Sequence, residues 1–270
     1  STMKHISILN DLEKTQIYST PFPHIIIQDA LPKVLADQLT LEFPIELFDM
    51  SDNNKRKDIS SKAVQANEEI SSIWREFIHY HSSAHFFNEI LSVFKPFFSD
   101  YEFNYYSEFS SGIRGQDRHK DKQILLDAQI SINTPVHKTS SVRKVHVDNT
   151  NKLFSGLYYL RRPNDDSSGG DLEILKWNAS YSEKEKLKFY KEGACSKHFT
   201  TLKQIKYDNN VAVIFLNSLN ALHLVTPRQP TIHPRCFVNL VGELNEDIFK
   251  KYGYFQEKMM LVRDKVRKIF

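Results

Sequence analysis

A change of period near residue 100 does most to limit what this chain can fold into. Between residues 69 and 95 the apolar side chains recur at helical spacing: Ile70, Ile73, Trp74, Phe77 and Ile78, then Phe86, Phe87, Ile90, Leu91 and Phe94. Beyond residue 100 the period falls to two. Eight strand-like runs follow: Ile124–Asn133, Val142–Asp148, Phe154–Arg161, Asp171–Leu175, Phe199–Lys206, Val211–Leu216, Ala221–Val225 and Arg235–Gly242. Turn residues separate most of them, as at Asn133-Thr134-Pro135, Ser168-Gly169-Gly170 and Asp208-Asn209-Asn210. Eight antiparallel strands with helices gathered on the N-terminal side predict a mostly β chain. Its core would be a double-stranded β-helix, a cupin-like jelly roll, with flanking helices.

The rest of the chain is expected to support that core within a single domain, 1–270. Residues 1–100 form the N-terminal strand and helix support, 101–245 the jelly roll and 246–270 a C-terminal helix. Phe22-Pro23-His24-Ile25-Ile26-Ile27 reads as a strand. Leu31-Pro32 then opens a helix at a position where proline's missing N–H costs nothing. Val34, Leu35, Leu39 and Phe43 form its apolar side. Residues 50–68 are polar and read as a mobile loop, and Ser82 and Ser83 as caps for a second helix in the 69–95 stretch. His81 and His85, four apart, would share a metal only if that helix ran unbroken; half-buried packing is the plainer reading. Residues 182–190 read as a short exposed helix between strands four and five. In the last element Ile248, Tyr252, Phe255, Met259, Val262, Val266 and Ile269 make a heptad seam of about three repeats. It fits a helix packed on the outside of the barrel, or a homodimer contact.

Composition excludes several classes. With 19 Phe and 12 Tyr a sizeable core is available. No apolar run reaches the roughly 18 residues of a membrane span, and no charged-then-apolar leader is seen. Two cysteines, Cys195 and Cys236, give neither a disulfide framework nor zinc spacing. A reducing cytoplasm is the expected location. The net charge of +3 carries no basic stripe, so nucleic acid is not an expected partner.

The chemistry centres on Val145-His146-Val147-Asp148-Asn149. On an alternating strand His146 and Asp148 point to one face. Together they are two thirds of a 2-His-1-carboxylate triad of the kind that holds non-haem Fe(II). A His-x-Asp triplet arises by chance about 0.7 times among 11 His and 17 Asp in 270 residues, so context must decide. His119-Lys120-Asp121 lies in a charge run without alternation and reads as a solvated loop. His223, in Leu222-His223-Leu224-Val225, sits on strand seven, which shares a sheet with strand two in a jelly roll, and is the candidate third ligand. Arg235 opens strand eight and, if inward, would grip a carboxylate with both arms of its guanidinium. Alternation aims Phe237 and Asn239 into the same cavity. Strand one has Gln129, Ser131 and Asn133 on one face and Ala128, Ile130 and Ile132 on the other; the polar face is either cavity lining or an ordinary solvent face. One tyrosine of Tyr158-Tyr159 points inward, and Tyr159 is preferred; Arg161, of the same parity, would then sit at the rim.

The series His146-x-Asp148, Gly156-Leu157-Tyr158-Tyr159-Leu160, Gly169-Gly170-Asp171-Leu172, Val213-Ile214-Phe215, His223 and Arg235 resembles the 2-oxoglutarate/Fe(II)-dependent dioxygenases, in the prolyl-hydroxylase-like branch. The resemblance covers about residues 124–242 and takes in the strand–helix lead-in at 22–44. It implies Fe(II) bound by His146, Asp148 and His223, with 2-oxoglutarate and O2 as cosubstrates. Arg235 would meet the distal carboxylate of 2-oxoglutarate, with a hydrogen bond from Tyr159 or Asn133 and Asn239 nearby. The spacing from distal His to Arg is a little longer than in the prolyl hydroxylases, so Arg228 is the alternative to Arg235. The implied reaction hydroxylates a C–H bond of a small metabolite or peptide side chain, releasing succinate and CO2. Desaturation and cyclisation use the same triad. A non-catalytic, cupin-like metal-binding or sensor protein is the competing function. The rim segments 50–68, 111–122, 134–141 and 178–198 are expected to shape the substrate.

Overall fold

The computed structural model describes residues 6–11, 16–100, 110–191 and 197–250. Cys195 lies outside them, as does the expected C-terminal helix from residue 251 on; at its expected start, 246–250, the described residues are not helical, although Ile248 is buried in the core. Strand β5 (Ile124–Asn133) is buried along its whole length. It lies between β3 (Arg56–Ile59) and β11 (Arg235–Leu244), both antiparallel to it. From β11 the sheet continues through β6 (Lys152–Leu160), β9 (Asn209–Leu216), β2 (His24–Gln28) and β1 (Gln16–Tyr18). A short β4 (Ser111–Ile113) runs parallel to the start of β5. A second sheet holds three strands in the order β10 (His223–Val225), β7 (Leu172–Trp177) and β8 (Phe199–Ile205). The described chain is thus mostly β, in two sheets.

Alternation sorts the large sheet into two faces, as the pleat requires. Ala128, Ile130, Ile132, Tyr158, Ile214 and Leu240 enter one core cluster. The same cluster holds Trp74, Phe77 and Ile78 of α3 (Ser72–His81) and Phe86, Phe87 and Ile90 of α4 (Ala84–Phe94). Tyr159, Val213, Phe215 and Phe237 project the other way, against Leu172 and Ile174 of β7 and Ile205 of β8. The layers are helices, large sheet, small sheet, consistent with a jelly-roll core.

Seven of the eight expected runs are strands. The eighth, Val142–Asp148, is not a continuous one. Its segment pairs with the 223–231 segment through isolated antiparallel bridges, Val136 with Thr231, Ser140 with Arg228 and His146 with His223, and the Val225 N–H also donates to the Arg143 carbonyl. Between successive bridges the 136–146 side carries one residue more than its partner. Each surplus residue is a bulge that breaks the ladder.

Residues 50–68 are not a loop throughout. They contain β3 and the helix α2 (Ser61–Ala66), which Ser60 caps by accepting the Ala63 N–H. β3 escapes a pattern search because Arg56-Lys57-Asp58 is polar on both faces. The first helix, α1 (Lys33–Leu41), follows Pro32; Leu39 and Phe43 are buried and Leu35 packs against the core, as expected, but Val34 is 82% exposed and Ala36 faces inward in its stead. Ser83 caps α4 through the Phe86 N–H. Ser82 ends α3 and so breaks any shared face for His81 and His85. The helix at 183–191, α5 (Glu183–Lys191), opens on a reciprocal cap in which Ser182 accepts from the Glu185 N–H and donates its own N–H to the Glu185 carboxylate. No helix among the described residues is long and apolar enough to cross a membrane.

His81 is a packing residue with a titration consequence. Its Nδ1–H donates to the Phe77 carbonyl and its Nε2 accepts the Ile8 N–H. Burial lowers its pKa to about 3. The unfolded chain takes up this proton below about 6.5 and the native chain does not, so the stability it carries is complete above 6.5 and is lost as pH falls. Between pH 7 and pH 5 that loss is about 2 kcal/mol. Urea unfolding of wild type and of His81→Gln at both pH values should show a pH dependence smaller by about that amount in the variant. Equal dependence in the two proteins would refute this assignment.

Candidate metal centre and its cavity

The bridge between His146 and His223 is reciprocal: each N–H donates to the other's carbonyl at 3.1 Å. This pairing sets the two imidazoles side by side, with ring centroids 4.2 Å apart. Alternation then returns Asp148 to the same side. Val147 turns away into a cluster with Leu175, Phe199 and Leu222, and its N–H donates to the Tyr190 hydroxyl of α5 at 3.3 Å. The expected exposed helix therefore also anchors the residue between two members of the site.

Each imidazole is oriented from behind. The Nδ1 of His146 lies 2.6 Å from the Lys144 carbonyl, and that of His223 lies 2.8 Å from the Ala221 carbonyl. A carbonyl only accepts, so both Nδ1 atoms carry protons and both Nε2 atoms face forward. They stand 3.4 and 3.6 Å from Asp148 Oδ1. The other oxygen, Oδ2, accepts the Ser155 hydroxyl at 2.5 Å. Burial, and then the neighbouring His223, lower the His146 pKa to about 4, so that ring is neutral at pH 7. At Asp148 burial pushes the carboxyl up, but the two imidazoles outweigh it and hold the group well below the usual carboxylate range. Ligand atoms of the three residues lie within 4.8 Å of one another. Two imidazole Nε2 atoms and a carboxylate oxygen converging at this range form a donor set for a cation. Two imidazoles and one carboxylate fit Fe(II), and the hydrogen bonds behind them are those that metal-ligating residues usually have.

The three residues open into a cavity of about 190 Å³. Arg235 lies on its wall, 2% exposed. Its Nε donates to the Gly170 carbonyl at 2.8 Å, Nη1 to Asn133 Oδ1 at 3.0 Å and Nη2 to the Tyr159 hydroxyl at 2.9 Å. Its guanidinium packs on the rings of Tyr159 and Phe237, each 4.8 Å from the centroid. A guanidinium has five N–H donors, so two remain. It has no carboxylate partner among the described residues.

Arg228 is buried beside it but does not line the cavity. It donates to Asn54, to the Thr134 carbonyl and to the His233 carbonyl, tying three segments together. Burial, and then Arg235, lower its pKa to about 10.

Asn133 and Asn239 line the cavity, and Asn239 donates to Gln129 at 2.9 Å. Tyr159 meets the cavity through Arg235. Arg161 lies away from the lining, donating to the carbonyls of Asp165, Ser167 and Tyr207. His119 stays in the 114–122 turn region. Four lining residues went unread in the sequence: Arg56, Arg143, Lys152 and Ser155. Ser155 shares the parity of Leu157 and Tyr159 and was open to discovery. Arg56 was hidden in a segment read as a loop.

No protein-family profile matches the chain, and no curated protein does. Among solved structures it is similar to a Pseudomonas putida prolyl-4-hydroxylase, at 12% identity over 90% of this chain and 100% of that one, with a TM-score of 0.45. It is also similar to a prolyl hydroxylase from Trichoplax adhaerens, solved with a hypoxia inducible factor oxygen degradation domain peptide fragment. Here the identity is 14% over 90% of each chain, with a TM-score of 0.47. A third is the Fe(II)/α-ketoglutarate-dependent dioxygenase TqaL, at 10% identity over 85% of this chain and 87% of that one, with a TM-score of 0.44.

The Gly169-Gly170 turn brings the Gly170 carbonyl to Arg235. Both residues have positive φ, 82° and 79°. A Cβ on Gly169 would lie 1.8 Å from the Pro227 carbonyl oxygen. Gly169→Ala therefore combines left-handed strain with a backbone clash and should destabilise the chain by about 2 kcal/mol or more. Urea midpoints of the variant and wild type measure this; a loss within error would mean the turn can shift freely.

Proposed function

We propose that the chain is an Fe(II)- and 2-oxoglutarate-dependent oxygenase that hydroxylates a C–H bond. The observation that carries this reading is Arg235, a buried cation with no carboxylate partner among the described residues, on the wall of the cavity that holds His146, Asp148 and His223. A buried charge left alone is costly, so Arg235 calls for an anionic ligand. In this reading the ligand is the distal carboxylate of 2-oxoglutarate, gripped by the two remaining N–H groups of the guanidinium. Asn133, Tyr159 and Gly170 hold the guanidinium plane in place. His146, Asp148 and His223 hold the metal through Nε2, Oδ1 and Nε2, and Ser155 fixes the carboxylate rotamer. The apolar walls from Leu157, Phe215 and Phe237 limit water at the reacting carbon. With Fe(II) bound, the chemistry supplied is reductive activation of O2: one oxygen atom enters the substrate C–H bond as hydroxyl, the other enters succinate, and 2-oxoglutarate loses CO2.

Anaerobic addition of Fe(II) and 2-oxoglutarate should give a weak visible charge-transfer band, which a metal-binding or sensor protein without the cosubstrate site would lack. His146→Ala and His223→Ala should each abolish Fe(II) binding, and His119→Ala should leave it intact. The opposite pattern would place the metal elsewhere.

Arg235→Ala should keep Fe(II) but weaken 2-oxoglutarate by orders of magnitude, since a charge-assisted bidentate pair is lost in a buried site. Unchanged affinity for 2-oxoglutarate would rule out this role. With Asp148 as a ligand, mass spectrometry of the product formed in chloride buffer should show a gain of one oxygen; a chlorinated product would remove Asp148 from the metal.

A further inference from the structure

The cavity holds more positive charge than the proposed cofactors use. Its charged lining is Arg56, Arg143, Lys152 and Arg235 against Asp148 alone. This step rests on the oxygenase reading: a divalent metal and Arg235 bring three positive charges, and Asp148 with 2-oxoglutarate bring three negative ones, so these four cancel. Arg56 is largely satisfied as well. Its Nε bonds both oxygens of Asp58, at 2.9 and 3.2 Å, and Nη2 donates to Gln129 at 3.3 Å.

Arg143 and Lys152 remain. Neither side chain has a hydrogen-bond or ion-pair partner among the described residues. Arg143 is exposed and Lys152 half-buried, so both lie toward the opening, while Arg235 lies inside. They flank the centre from different elements. Arg143 comes from the bulged segment leading to His146, and its charge is felt at His146; Lys152 opens β6, and its charge is felt at Asp148. Between them and the metal ligands the walls are aliphatic and aromatic, from Leu157, Leu172, Phe215 and Val225. Two cations without partners at the mouth of a cavity with such walls suit a ligand that is apolar in its body and anionic at one end.

We infer that the substrate is a small acid: a short aliphatic body lies near the metal, and an anionic oxygen group, carboxylate or phosphate, is held at the mouth by Arg143 and Lys152. The field of two like charges over a low-dielectric opening also draws an anion in. A carboxylate takes the guanidinium fork in two parallel bonds, and a phosphate does the same with an oxygen left over for the ammonium.

The test is isothermal titration, under argon, into protein carrying Fe(II) and 2-oxoglutarate. The probes are short straight-chain carboxylic acids, their carboxamides and the alkyl phosphates of equal length. One of the two acid series should bind, and the neutral carboxamides should bind at least about tenfold more weakly. Tighter binding of the acids or of the phosphates tells which group the mouth takes. In Arg143→Gln/Lys152→Gln the acid should weaken by about tenfold or more while 2-oxoglutarate, held by Arg235, weakens far less. Absence of binding by both acid series, equal binding of the carboxamides, or wild-type affinity in the double variant would each overturn the inference. The charge-transfer band in the same samples reports the oxygenase reading separately. If no band forms, the titration is repeated on the metal-free chain in an Arg235→Ala background, so the mouth is read alone. Acids held by Arg143 and Lys152 in a chain that takes no Fe(II) would sink the oxygenase reading and leave the acid site standing. A normal band with no acid site would do the reverse.

Discussion

Two backbone hydrogen bonds between His146 and His223 hold the candidate centre together. They join a bulged segment to the edge of the small sheet, and both imidazoles project from that bridge. The arrangement sets two imidazoles and a carboxylate together, each with its far side already bonded to the protein. With both Nδ1 donors spent on backbone carbonyls, the Nε2 atoms face forward as a donor set for a cation. The Val147 side chain, locked among Leu175, Phe199 and Leu222, keeps the segment from rotating.

The same small sheet positions the far end of the cavity. β10 pairs with β7, with His223 opposite Ile174 and Val225 opposite Leu172. Just before Leu172 the Gly169-Gly170 turn delivers the carbonyl that holds Arg235. The distance from His223 to the guanidinium is thus set by a few residues of one strand pair. The large sheet supplies the complementary wall, since Arg235 faces Asn133 in register on β5 and Phe237 faces Tyr159 on β6. Rigid strands on both sides suit a site that must hold groups to a fraction of an ångström.

Electrostatics gives the cavity its direction. Arg235 and Arg228 are buried next to each other, with aromatic faces and neutral acceptors around them. Two buried cations, neither ion-paired with a carboxylate among the described residues, make the inner end attractive to an anion. Arg143 and Lys152 repeat that sign at the opening. Asp148 alone carries the opposite charge in the lining.

Much of this was legible in the chain because it depends on local period. Alternation along β5 separated Ala128, Ile130 and Ile132 from Gln129, Ser131 and Asn133, and the structure sends the first set to the helices and the second toward the small sheet. The helical stretches, the Ser83 cap and the strand starts at Ile124 and Arg235 were readable for the same reason. Three things were not. β3 is polar on both faces, because one face meets the cavity and the other its own salt bridges, so no alternation betrays it. The second strand reads as continuous in sequence, yet bulges reduce it to single bridges, and bulges follow from a partner's register that no local pattern records. The shared positive lining was invisible too, because Arg56, the Arg143–Lys152 stretch and Arg235 come from segments more than 80 residues apart in the chain. Residue types and their period determined which side chains were able to reach a cavity. Only the tertiary structure decided which of them share one, because that depends on strand pairing between segments 70 or more residues apart.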